Sequence, residues 1–318
     1  YTLTRNGYIK RTPASEYAAQ SKGGMGKKGI TTRDEDYVCD VFTASTHDYI
    51  LFFTNLGKVH RRKGYQIPET GRSAKGMNIV NLLELENGEK ITAMFPIQEF
   101  ADDKFLFFVT RQGIAKRIVL SDLQNIRRAG LRALSLNEDD VLVDVRLTDG
   151  EQNILIATHN GKAICFDENE VRAMGRTATG VRGIKLREGD YVVGAGIAAE
   201  GAAILSITEN GYGKRTDVGE YSVQNRGGMG LKNYNVTDKT GPVADVVIVT
   251  GDEDLLVISD DGTIIRMDVG SISLLSRSTQ GVRVMRLTGD AKVISIAHTV
   301  KEDSAEADSP EANSSEAN

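Results

Sequence analysis

The chain of 318 residues contains no tryptophan. A WD-repeat propeller carries a tryptophan–aspartate signature, so the absence argues against that architecture. Only two cysteines are present, Cys39 and Cys165, far apart and each in a strand-like run. They read as buried free thiols of a reducing compartment rather than a disulfide framework. The four histidines, His47, His60, His159 and His298, show no metal-ligand spacing. No apolar run approaches the length of a membrane span, and no signal peptide opens the chain. The βαβ alternation of a dinucleotide fold is missing too. The string Gly24-Met25-Gly26-Lys27-Lys28-Gly29 fits G-x-G-x-x-G, but without a strand-to-helix unit around it. The run Gly213-Lys214-Arg215-Thr216 is no phosphate-binding loop, because the upstream glycine position holds Thr208 and no Ser or Thr follows the lysine. Carboxylates lie in exposed acidic connections, so no acid–base pair and no catalytic residue is nominated.

What the chain does have is a sixfold repeat. A turn reading Thr/Ser-x-x-Gly places its glycine at Gly7, Gly57, Gly113, Gly161, Gly211 and Gly262. A second glycine follows at Gly26, Gly76, Gly130, Gly180, Gly230 and Gly281, always 19 residues on except in the third unit, where it is 17. Repeats of 48 to 56 residues are the mark of a propeller or array. Each turn follows a short apolar run (49–54, 105–110, 154–158, 204–208, 255–259) and precedes another, which predicts β-hairpins. The pairs Asn6-Gly7, Asn210-Gly211 and Asp261-Gly262 favour tight hairpin turns. A further apolar run opens each unit upstream, at 90–97, 141–147, 191–197 and 243–249. With one strand more this gives four per unit, hence an all-β, propeller-like closed ring of six four-stranded blades. The first unit lacks its opening strands, as if cut from a longer protein, and the run 292–298 is expected to complete that blade and close the ring.

Charge is unevenly placed. Residues 301–318 carry one of the 39 basic and six of the 44 acidic residues, which leaves 38 of each in 1–300. Two segments follow: a ring domain over 1–300, and an acidic tail over 301–318 expected to be disordered and to compete with a polyanion for the body. Within the neutral body, basic residues gather between the first and second glycines of each unit and acidic ones in the connections between units. Equivalent positions in a ring become a band, and a basic band suits a long polyanion whose phosphates are neutralised in series. The candidate contacts are Lys10, Arg11, Gln20, Lys22, Gly23, Gly24, Gly26, Lys27, Lys28, Arg61, Arg62, Arg72, Lys75, Arg117, Arg128, Lys214, Arg215 and Arg226. The same clusters include Arg127, Arg132, Arg182, Lys185, Arg277 and Arg283. Two strings stand out: Gln20-Ser21-Lys22-Gly23-Gly24-Met25-Gly26 and Gln224-Asn225-Arg226-Gly227-Gly228-Met229-Gly230. Their glycines let backbone N–H groups approach a phosphate.

The first string, followed by Lys27-Lys28, resembles the box motif of the DNA gyrase A C-terminal domain: a glutamine, two basic residues, two glycines, a basic residue and a glycine. It departs at Ser21 and Met25, which replace bases. Asn6-Gly7-Tyr8-Ile9-Lys10, Ser15-Glu16-Tyr17, Arg172-Ala173-Met174-Gly175, Thr179-Gly180-Val181-Arg182-Gly183-Ile184 and Asn210-Gly211-Tyr212-Gly213-Lys214-Arg215-Thr216 are similar to other stretches of that family. The resemblance covers residues 1 to about 300. It implies a six-bladed β-pinwheel that wraps double-stranded DNA around a basic rim, with the blade-one box as the decisive element. It implies a cytoplasmic, nucleoid-associated, bacterial A2B2 holoenzyme formed with gyrase B and the N-terminal part of gyrase A. ATP, Mg and the nucleophilic tyrosine would lie on those other parts, and no cofactor in this segment. The related domain of topoisomerase IV is usually without an intact box, so the box favours gyrase. A kelch-like propeller that binds a protein partner is the alternative of another class; it predicts an apolar, aromatic-rich face instead of basic glycine loops.

Overall fold

The computed structural model describes residues 1–15, 32–33, 36–71 and 73–300, with backbone alone for 32–33 and 299–300. The blade-one string 20–28, Arg72 and the acidic tail lie outside the described residues.

The repeated Thr/Ser-x-x-Gly is a complete turn. In all six hairpins the threonine or serine carbonyl accepts from the glycine N–H at 3.0 to 3.2 Å, and the glycine has φ between +82° and +87°. In five, the threonine Oγ1 also accepts from the backbone N–H four residues on, as Tyr212 N to Thr208 at 3.1 Å. In the sixth, Asp261 takes that task and accepts from Thr263 N at 3.0 Å. The glycine is thus the third residue of a three-residue connection, the left-handed bulge position, and not half of a two-residue turn.

Six antiparallel four-stranded sheets result. The second is representative. Its hairpin, Tyr49–Thr54 and Lys58–Lys63, stands in the middle; Ile91–Ile97 pairs with the first strand and Leu131–Arg132 with the second. Two sequence expectations are corrected here. The apolar runs do not open the following blade; each follows its hairpin and forms the inner edge of that same blade. Nor does the run 292–298 complete blade one. Val293–Val300 pairs with Glu253–Ser259 in the sixth sheet, while blade one takes Val38–Val41 from its own unit. Side chains of such a run enter the cores on both sides, Met94 one and Ile97 the other, and an apolar pattern that faces two neighbours alike does not encode which one it pairs with.

The outer edge of every sheet comes from the next unit. Met77–Asn78, Leu131–Arg132, Val181–Arg182, Leu231–Lys232 and Val282–Arg283 each cross back onto the preceding hairpin. Thr32–Arg33 does the same to Thr263–Asp268, and this exchange closes the ring. The second glycine makes the crossing possible: a Cβ at Gly76 or Gly180 would stand 2.5 Å from the carbonyl oxygen of Ile9 or Ala115. In the shortened third unit, Gly130 instead packs on the ring of buried His60, where a Cβ would be 2.7 Å from Cε1.

The core lies between blades. Leu51, Phe53, Leu106 and Phe108 fill the gap between blades two and three, with the two phenylalanines edge to face at 5.7 Å. At the seam between blades six and one, Leu256, Ile258 and Ile264 are buried with Tyr37 and Ala297 packed against them. Cys165 is buried and Cys39 half-buried; both are free thiols, and burial pushes each up to about 11.

Candidate nucleic-acid interface

The inner strands line a central channel of about 580 Å³. One level of it reads Asp40, Ala93, Asp144, Gly194, Asp245 and Ser295 around the ring, a carboxylate on every second blade. Burial pushes Asp40 up to about 6 and Asp245 to about 7, and raises Asp144 as well, although Arg146 holds its Oδ2 at 2.8 Å. Arg5 and Arg146 line the same channel, so the hub holds carboxyl and guanidinium groups together.

Bases on the hairpins divide into two groups. Those three and four residues after the turn glycine point beneath the next unit and hold its loop. Lys214 is fully buried, its Nζ donating to the carbonyls of Ser276, Arg277 and Thr279 at 2.8 to 2.9 Å. Lys116 does the same to Ala133, Arg176 and Ala178. Burial pulls both ammoniums down to about 8. Arg117 donates to Val171 O and pairs with buried Glu168 at 3.2 Å; Arg215 donates to Ile272 O, Arg11 to Ile67 O, and Lys10 to Ala74 O. Of the sequence candidates, Lys214 and Arg117 are therefore corrected from surface contacts to buried braces. Lys10, Arg11 and Arg215 are half-buried on the same duty.

The second group faces outward. The last residue of the outer strand is Arg132, Arg182, Lys232 and Arg283 in blades two to five, all exposed. Two sit directly opposite a lysine, Arg132 across from Lys58 and Lys232 across from Lys162. Like charges in cross-strand pairs cost stability; Lys58 is also paired with Glu86 at 2.5 Å. Bases from the adjacent unit join them. Arg226 donates to the carbonyl of Arg182 at 3.1 Å, and Arg277 to that of Lys232 at 3.1 Å. Between blades one and two, a groove of about 500 Å³ is lined by Arg61, Arg62, Arg127 and Arg128. Arg61 lies over the rings of Tyr49 and Phe100, and Lys75 is exposed over Tyr8 at 4.0 Å.

Among the sequence candidates, then, Lys75 and Arg128 are exposed and Arg62 and Arg226 half-buried at the outer surface. Half-buried Arg61, four residues after Gly57, instead donates to Gln124 O at 2.8 Å and braces the next unit as Arg117 does. Gln20, Lys22, Gly23, Gly24, Gly26, Lys27, Lys28 and Arg72 lie outside the described residues. Sequence reasoning missed Lys232 and did not single out Arg132, Arg182 and Arg283 as contacts. The signal was their constant place two residues after the second glycine.

A ring of six antiparallel four-stranded blades, with bases exposed along strand-exchanged outer edges, defines a β-propeller. The model of the family described as DNA gyrase C-terminal domain, beta-propeller, matches residues 1–45, 48–98, 104–149, 152–199, 203–250 and 253–299, and the chain belongs to that family. Its six segments follow the observed blades, each hairpin grouped with the run after it. The DNA gyrase A protein of Clostridium acetobutylicum is 53% identical over 305 residues, which is 96% of this chain and 37% of that relative's length. Two solved structures share the fold. The C-terminal domain of DNA topoisomerase IV matches at TM-score 0.82 and 29% identity, over 96% of this chain and 94% of that one. The DNA gyrase A C-terminal domain matches at TM-score 0.73 and 28% identity, over 94% and 98%. Among the described residues no helix is long and apolar enough to cross a membrane, and no cluster of His, Cys, Asp or Glu could hold a metal ion.

Proposed function

We propose that this chain binds double-stranded DNA along its outer perimeter and wraps it, giving a gyrase holoenzyme the chiral crossing for ATP-dependent negative supercoiling. The observation that carries this reading is the series Arg132, Arg182, Lys232 and Arg283, one exposed base at the same place on four successive blades. Phosphates are neutralised in sequence along the edge. Contacts of this kind carry little base information, so sequence preference is slight. Bending a duplex of 20–30 bp this tightly costs about 1–6 kcal/mol, so several blades must act together.

The chain supplies no catalytic group in this reading. Strand passage, ATP and Mg belong to the rest of gyrase A and to gyrase B, in a bacterial cytoplasmic A2B2 assembly. Likeness to the topoisomerase IV domain supports a second reading, in which the perimeter bends DNA without a complete wrap.

The test is duplex binding across a salt series. Log affinity should fall linearly with log salt, by about 0.9 for each phosphate neutralised. Replacing Arg132, Arg182, Lys232 and Arg283 together by Gln should flatten that slope by several units. Salt-independent binding, or none, would overturn the proposal.

A further inference from the structure

The third residue after the turn glycine is a lysine in blades three and five, Lys116 and Lys214, and each ammonium there has three carbonyls to donate to. In blade two that place belongs to His60. Its side chain is fully buried, and among the described residues neither ring nitrogen has a hydrogen-bond partner. A buried polar atom without a partner is costly, so the ring stays there because of what covers it. The cover is the loop 124–130, which sits in the one unit shortened by two residues. Gly130 packs directly on the imidazole: its φ is +87°, and a Cβ there would stand 2.7 Å from Cε1 and 3.0 Å from each nitrogen.

Glu89, with an equally buried side chain, brings Oε1 to 3.8 Å from Nε2, too far for a hydrogen bond. That carboxylate is already engaged. Oε2 accepts from Thr54 Oγ1 at 3.1 Å, and Oε1 from Glu86 N at 3.3 Å. Cations oppose a proton on the ring. Lys58 and Arg62 stand on the same strand, Arg132 lies across from Lys58 on the outer strand, and Glu86 is tied to Lys58 at 2.5 Å. Arg128 of the covering loop faces Glu84 at 3.9 Å. Burial outweighs the pull of Glu89 and holds His60 below its ordinary 6.5. Lifting Gly130 would open the ring to water, and the outer strand Leu131–Arg132 follows that glycine directly. Two pairs, Leu131 with Val59 and Arg132 with Lys58, and the bond from Ala133 N to Gly57 O at 2.8 Å hold the strand in place.

We propose that His60 and Gly130 form a proton-operated latch for the strand that the third unit lends to blade two. With the ring neutral, Gly130 stays seated and Leu131–Arg132 completes the sheet. When the ring takes a proton, Gly130 lifts, the imidazolium reaches water, and the strand leaves the hairpin. The folded state binds this proton less readily than the unfolded chain. The seat is therefore fully stable above about pH 6.5 and weakens as pH falls below it. Lys116 and Lys214 keep their charge over that range, so the junctions they brace do not respond. One consequence rests on the DNA-binding reading above: with the latch open, Arg132 drops out of the outward series.

The test is amide exchange in the whole chain from about pH 7.5 to about pH 5, corrected for intrinsic rates, with the His60 ring titrated by NMR. Two bonds of the same kind serve as references, Gly183 N to Gly113 O and Val284 N to Gly211 O, both 2.8 Å and both beside a lysine brace. Ala133 should lose protection by up to about tenfold for each pH unit below the ordinary histidine value, while Gly183 and Val284 stay flat. His60→Phe should keep Ala133 protected at every pH. Glu89→Gln should lower the His60 midpoint further, because the anion that draws the proton is gone. Ala133 protection that tracks Gly183 would overturn the latch. So would a His60 midpoint at or above the ordinary value with Ala133 still protected, since Glu89 would then hold the imidazolium inside a closed blade. At about pH 5.5 the salt slope of duplex binding should be shallower by about one in the parent than in His60→Phe. Equal slopes with Ala133 open would remove Arg132 from the perimeter reading and leave the latch standing.

Discussion

Lys214 and Arg283 belong to the same sheet and look alike in the sequence, a base close to a repeat glycine. In the fold they do opposite things. Lys214 lies three residues past the turn glycine, beneath the loop of the next unit, and spends its ammonium on three carbonyls. Arg283 lies two residues past the second glycine, on the outermost strand, and is exposed. A basic band read from the sequence therefore contains two populations, one that fastens blade to blade and one that faces outward. Register against the two glycines, not charge alone, separates them.

The largest expected effect breaks the inward group. Lys214→Met leaves buried carbonyls of Ser276, Arg277 and Thr279 unpaired and should lower stability by at least about 2 kcal/mol, read as a drop in denaturant midpoint. The salt slope of duplex binding in the folded variant should stay that of the parent; a flattened slope would place Lys214 among the DNA contacts after all. Next comes the outward group, where Arg182→Gln should leave the midpoint unchanged and weaken duplex binding at low salt, with a slope shallower by about one. Arg128→Gln, at the edge of the four-arginine groove, should do the same to a smaller extent because Glu84 already stands 3.9 Å away.

The smallest effect concerns the hub. Buried Asp40 and Asp245 have folded values raised to about 6 and about 7, above an ordinary 3.8. The folded state thus holds their protons longer than the unfolded chain does. Their contribution is fully present below about pH 4 and is lost as pH rises through 6 to 7. Carboxyl carbon titration by NMR should find the Asp245 midpoint near neutrality, and a midpoint in the usual aspartate range would show the channel to be wetter than the geometry indicates.

Much of the fold was legible because the glycines are steric necessities. Gly7 and its equivalents close the turns, and Gly76 and its equivalents let one unit cross onto the last. Which sheet each apolar run joins was not legible. The run 91–97 separates two hairpins, and its buried faces serve both neighbours, so only hydrogen-bond register assigns it to the earlier one. The ring closure was misread for the same reason: two residues, Thr32–Arg33, carry no apolar signature of a strand. At the site, the density of bases was legible but their burial was not. Lys116, three residues after a turn glycine, is covered by the next unit, and Lys232, two residues after a second glycine, is not.

The most direct measurement of the central claim is the ligation of a nicked DNA circle in the presence of this chain, followed by the linking number of the sealed product. Wrapping around the outer perimeter predicts a shift of one sign that grows with protein concentration, and that shrinks when Arg132, Arg182, Lys232 and Arg283 are replaced together. A product distribution unchanged from the protein-free control, despite salt-sensitive binding, would contradict wrapping and leave only a domain that bends DNA.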